Sequence, residues 1–349
     1  MLKDCLESHG DCHHSSLGDL GKGPPPLPTR VLDVSSHERI KVSESHGERA
    51  DYAALSHRWG PPTTAKLLLK KSNLNELRNG VPLCTLPKTY RDAVRFTKGM
   101  GLRYLWIDSL CILQDNRQDW LQEGEKMADV YSNALFTISA TTAVGDSSGI
   151  FIRKYEQTTA LYADSVSDKQ NRVYLRGCYT HKQCTKSLED GEMTRRGWIF
   201  QEALLSHRLI HFPSDCCIVW ECRANFLSER SRTIDQIAPY CDGYKYSSRA
   251  SPRQHTSTRI AFQRHWSGII KDYTSRHLTV NDDRLHAISG TIEFVKKLTG
   301  FANVGGLWIP TLPYELFWLS RFKPNANVSD GENLSKERLY RAPSWSWVS

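Results

Sequence analysis

From residue 50 onward the apolar positions become regular, and their spacing predicts alternating strands and helices. Tyr52-Ala-Ala-Leu-Ser56 forms a short buried strand, ended by His57-Arg58-Trp59-Gly60-Pro61, where Gly-Pro turns the chain. Leu86-Pro87-Lys88-Thr89 opens a helix whose inner face carries Tyr90, Ala93, Val94 and Thr97, and Gly99 and Gly101 stop it. A four-residue apolar strand, 104–107, follows and delivers Asp108, Cys111 and Gln114 to its C-terminal edge. Strand, helix and strand in this order predict a right-handed parallel crossover. A second helix is expected over 117–131 and a third strand over 134–140. Residues 145–190 are irregular and insertion-like, with an exposed strand at 172–175. A helix then runs into a strand near Arg208, and Cys217 to Cys222 is strand-like. The stretch 241–257, rich in Ser, Arg and Gly, reads as a mobile loop, and helices are expected over 258–276 and 283–298.

The fold class is therefore α/β, a short parallel sheet flanked by helices, with additional strands and helices in the C-terminal half. Three parts follow: a polar lead-in and Pro-rich connector (1–30), an α/β core (31–222) and a C-terminal extension (223–349). The chain stops within the aromatic, strand-like Ala342-Pro-Ser-Trp-Ser-Trp347, which suggests a fragment or a truncated gene model.

Composition narrows the function classes. The net charge of +8 is spread along the sequence, with no zinc-finger spacing and no Gly-aromatic RNA-binding signature, so no nucleic-acid partner is expected. No run is long and apolar enough to insert into a membrane, and the N-terminus has no apolar signal segment. Ten cysteines are then best read as reduced thiols in a cytoplasmic chain, mostly packed as small hydrophobes. Cys5, His9, Cys12, His13 and His14 are all metal-capable. A structural zinc site usually draws four ligands from two separated pairs, whereas these lie within ten residues. A polar, partly ordered lead-in helix is the expectation, and no metal is assigned.

Several long segments resemble the fungal heterokaryon-incompatibility (HET) domain: Tyr52-Ala-Ala-Leu-Ser-His-Arg-Trp-Gly60, Leu86-Pro-Lys-Thr-Tyr-Arg-Asp-Ala93 and Tyr104-Leu-Trp-Ile-Asp-Ser-Leu-Cys-Ile-Leu-Gln-Asp115. Asp119-Trp120, Tyr131-Ser-Asn-Ala134, Arg196-Gly-Trp-Ile-Phe-Gln-Glu202, Leu205-Ser-His-Arg208 and the terminal Ala342-Pro-Ser-Trp-Ser-Trp347 continue the match in order. His57 departs from it, since the family more often has Tyr or Phe after the serine. The resemblance implies a fungal intracellular protein of non-self recognition and regulated cell death. HET domains in turn resemble Toll/interleukin-1-receptor (TIR) domains, some of which cleave NAD, which implies a TIR-like (flavodoxin-like) sheet. Ser56-His-Arg-Trp-Gly60 is similar to the loop after the first TIR strand. Trp198-x-x-x-Glu202 has the spacing that carries the TIR catalytic glutamate.

Cleaving the nicotinamide–ribose bond needs a carboxylate beside an oxocarbenium-like ribose and a cover over the ring. Glu202 is the catalytic candidate, with Trp198 one helical turn away on the same face. Each residue also has a structural reading. Glu202 could pair with Arg196 or Arg208, Trp198 could be core, and Asp108 could cap the next turn or line the pocket. Cys111 could act as a nucleophile with His57 as its base, or be an inert buried thiol. Gln114 could read a ligand amide or satisfy the backbone; Arg58, beside Trp59, could meet a phosphate or form an ion pair. No cofactor is assigned beyond NAD as a substrate. Self-association or an upstream receptor-type partner is the expected trigger. A non-enzymatic signalling module, or a member repurposed to act on a small metabolite, are the alternatives.

Overall fold

The computed structural model describes residues 1–12, 23–61, 66–151, 159–162, 172–175, 188, 191–213, 218–229, 259–278, 281–318 and 343–348. The main sheet is built from β1 (Arg30–Asp33), β2 (Arg39–Glu44), β3 (Tyr52–Ser56), β4 (Val81–Pro82), β5 (Tyr104–Ile107) and β6 (Phe136–Ser139). A separate antiparallel pair, β7 (Thr159–Tyr162) and β8 (Arg172–Leu175), contains the strand expected at 172–175. The main sheet is completed by β9 (Arg208–His211), β10 (Val219–Cys222) and β11 (Phe226–Ser228). Its nine strands lie in the order β11-β10-β9-β6-β3-β5-β1-β2-β4. The four central strands β9, β6, β3 and β5 are parallel, and antiparallel strands extend both edges.

Numbered from β3, the parallel strands run 2-1-3-4, the flavodoxin-like order. The order reverses between β3 and β6, where Ser56 pairs with Ser139 at the C-terminal ends. All residues of β3, β5 and β6 are buried, as expected for parallel strands covered on both faces.

Two short helices, α1 (Leu2–Ser8) and α2 (Leu74–Asn79), precede α3 (Lys88–Gly99), which covers one face of the sheet. Phe96 of α3 meets Phe136 and Phe212 edge to face there. A single turn, α4 (Asp108–Cys111), follows β5 directly, and α5 (Arg117–Asn133) covers the other face. There the Tyr52 hydroxyl donates to the Val130 carbonyl at 2.7 Å, and Trp106 packs edge-on to Tyr131. Against α5 lie α6 (Gly197–Leu205) and, after α7 (Arg259–Thr274), α8 (His286–Thr299). A second apolar cluster joins Phe200 of α6 to α7, α8 and the hairpin of β12 (Asn303–Val304) and β13 (Leu307–Trp308). Trp266 and Trp308 lie at its centre, 5.2 Å apart and edge to face.

Strands β1 and β2 lie before the region where apolar regularity is clear, yet both join the sheet. Arg30 fixes β1 to the helical layer, donating to the Cys111 carbonyl and pairing with Asp119 at 2.5 Å. The Pro-rich connector is tied to the sheet as well, with the Leu27 amide donating to the Glu48 carbonyl. Residues 343–348 form turns rather than the expected strand, because their polar groups bond to the β12–β13 turn. Trp347 donates to the Gly306 carbonyl at 3.1 Å, and Ser346 donates to that of Gly305. The loop expected at 241–257 lies outside the described residues.

Candidate functional site

Parallel pairing puts the ends of β3 and β5 side by side, so Ser56 and His57 emerge next to Asp108. Strand alternation then divides them. Ser56, in phase with Tyr52, points to the α5–α6 face; His57, in phase with Leu55, points to the α3 face.

On the α5–α6 face, Glu202 is only 6 % exposed. Burial first, and the nearby Asp108 charge second, raise its carboxyl to about 7, against the Ser56 hydroxyl, Arg196 and the Tyr131 hydroxyl, which favour ionisation. Its Oε2 is fully buried without a hydrogen-bond partner among the described residues. The pairings with Arg196 or Arg208 that would make Glu202 a structural cap are absent among the described residues. Arg208 instead contacts Cys5, Cys12 and Leu135. Trp198, half-buried, packs against both apolar clusters and meets Trp120 edge to face at 6.3 Å.

On the α3 face, His57 is buried, its Nε2 3.1 Å from the Tyr90 hydroxyl, which lies 2.9 Å from the Ser109 hydroxyl. Its Nδ1 lies 3.8 Å from Asp108 Oδ1. Burial lowers the imidazole below its ordinary range more strongly than Asp108 raises it, so the neutral ring is favoured. Asp108 is shared by both faces. Its Oδ2 accepts the Trp59 indole N–H at 2.8 Å, and its Oδ1 accepts the Ser109 amide at 2.7 Å. It therefore holds an amide of the first α4 turn, and its charge is also felt by Glu202.

The other candidates are placed differently. Cys111 is fully buried, on the side of Arg30 and Glu123 rather than beside His57, and burial pushes its thiol up to about 12. A neutral thiol there is a poor nucleophile. Gln114 spends its amide N–H groups on the Asp108 and Ile112 carbonyls and so fixes the turn after α4. Arg58 lies half-buried on the loop after β3. Residue-by-residue reading missed Ser56, Tyr90, Ser109 and Tyr131 as site neighbours. Each stands in one of the motif segments, and that shared membership was the available signal.

The family model for heterokaryon incompatibility protein (HET) matches residues 52–202, from the first residue of β3 to Glu202. This chain carries a HET domain. The match supports a role related to heterokaryon incompatibility, and it spans every candidate residue named above. No curated protein and no solved structure matches the chain. No helix among the described residues of this HET protein is long and apolar enough to cross a membrane.

Proposed function

We propose that this HET protein is a cytoplasmic effector of non-self recognition and regulated cell death that hydrolyses NAD at Glu202. One observation carries the enzymatic reading: a carboxyl buried at the C-terminal edge of a parallel sheet, beside the strand-order reversal, with an unpartnered oxygen. In open α/β sheets that crevice is the usual ligand site. A buried carboxyl with one oxygen left unsatisfied costs stability and is rarely kept without a use. The Trp198–Glu202 spacing and the flavodoxin-like strand order support the TIR-like comparison.

In this reaction the bond between ribose C1′ and the nicotinamide nitrogen breaks, and its electron pair leaves with nicotinamide, which becomes neutral. Water then bonds to C1′ and releases one proton, giving ADP-ribose. Ionised Glu202 stabilises the oxocarbenium-like ribose, and because the leaving group departs uncharged, no general acid is needed. Trp198 and Trp59 supply aromatic walls, and Asp108 sets the field at Glu202. Self-association or an upstream receptor-type partner would trigger the protein.

The test is NAD against time with concentrated protein, wild type beside Glu202→Ala. Loss of NAD with release of nicotinamide, absent in the variant, supports the proposal. Stable NAD in both leaves a non-enzymatic signalling module as the better reading. Equal loss in both moves the chemistry to another site.

A further inference from the structure

Three of the five metal-capable residues of the lead-in gain a fourth member that only the fold reveals. Cys5 lies on α1, His9 and Cys12 lie in the turn after it, and Cys222 is the last residue of β10. Their ligand atoms all lie within 4.8 Å of one another, with His9 Nδ1 3.5 Å from Cys222 Sγ. In a tetrahedral zinc site with Zn–S bonds of about 2.3 Å, neighbouring sulfurs are roughly 3.8 Å apart. The cluster is already near that spacing. We propose that Cys5, His9, Cys12 and Cys222 bind one zinc ion as a structural Cys3His centre.

Charge gives an independent argument. Arg208 is 0 % exposed, and Asp51, the carboxylate that senses its charge, forms no ion pair with it among the described residues. Its guanidinium donates to Cys5 Sγ at 3.3 Å, to the Cys12 carbonyl at 2.5 Å and to the Leu135 carbonyl at 3.2 Å. A guanidinium stays charged, and burying it without an anion is costly. Zinc held by three thiolates and a neutral imidazole carries one net negative charge, which would give Arg208 a counter-charge in direct contact through Cys5 Sγ. A disulfide between two of the three cysteines would leave Arg208 without it.

The surroundings match as well. The Asn225 amide N–H donates to Cys222 Sγ at 3.2 Å, as thiolate ligands commonly require. The Asn225 side-chain amide lies 2.9 Å from His9 Nε2. With Nδ1 on the metal, Nε2 carries the proton, and the amide oxygen accepts it once the amide is turned over. Three of the ligands come from one short segment and the fourth from a distant strand, so the metal would fasten α1 to the end of the sheet.

The full chain, purified under reducing conditions from zinc-supplemented medium, is expected to contain one equivalent of zinc. Cobalt in its place is expected to give tetrahedral ligand-field bands with thiolate charge transfer. Cys222→Ser should lose most of the metal, whereas Cys84→Ser, at an exposed thiol, should keep it. Asn225→Ala tests the site without removing a ligand and should weaken zinc binding about 10–100-fold. Alkylation of the native chain adds a readout independent of variant folding, since Cys5, Cys12 and Cys222 should react only after chelation. Absence of stoichiometric zinc with no cobalt spectrum would overturn the proposal. So would a disulfide within the cluster of the native chain, or full zinc in a folded Cys222→Ser variant.

Discussion

Glu202 carries a measurable burden. Its folded carboxyl titrates at about 7 against an ordinary 4.5. The folded chain thus holds this proton more tightly than the unfolded chain, and stability falls as pH rises between those values, with the full cost present above them. The gap corresponds to something on the order of 3 kcal/mol. Glu202→Gln should therefore raise the urea midpoint at pH 8 and leave it nearly unchanged at pH 4. Equal effects at both pH values would show that burial of the charge is not the cause. His57 slopes the other way. Its imidazole is lowered by burial, so stability from this group is complete above the ordinary histidine range and declines as pH falls through it. Asp108 couples to Glu202 through charge. If NAD hydrolysis requires ionised Glu202, its rate should climb as pH rises through about 7. Asp108→Asn removes a negative neighbour and should shift that climb to lower pH; an unmoved midpoint would separate Asp108 from the titration.

At the scale of elements, the position of α6 depends on close helix contacts. A Cβ added at Gly290 of α8 would lie 2.7 Å from the Ala128 Cβ of α5 and 3.0 Å from Gln201 Oε1 of α6. Neither methyl can rotate away, so Gly290→Ala should cost about 1–3 kcal/mol. Adding Ala128→Gly should recover part of that loss in a double-mutant cycle. Purely additive effects would mean that this crossing is looser than described. Elements with strong periodicity were legible in the sequence: β3, α3, β5, α5, β6, β9 and α8 all fall near their expected positions. The losses have physical causes. Strand β1 is only four residues long, and the alternation of Ile40 and Val42 in β2 is too short to stand out beside a polar, proline-rich stretch. Residues 343–348 carry the aromatic content of a strand, but their hydroxyl and indole groups are taken up by the β12–β13 turn.

For the whole molecule, the sequence offered candidate residues one by one but not their grouping. Asp108 and Glu202 are separated by 94 positions in the chain, and only parallel pairing of β3 with β5, with α6 laid across them, brings their charges together. The cysteine cluster posed the same difficulty more sharply, because its fourth member stands at the far end of the domain. That separation also bears on the order of assembly. The contact between Arg208 and Cys5 spans 203 positions, and long-range closures are slow and come late. Helix α1 has one fully buried residue, Cys5, beside the partly buried Leu2 and Leu6, and the partners of Cys5 come from β9 and β10. The segment containing Cys5 and Cys12 leaves the ribosome before β9 and β10 and must wait for them to complete its contacts. Its docking therefore acts as a completion check, engaging only in chains whose last sheet strands have found their register.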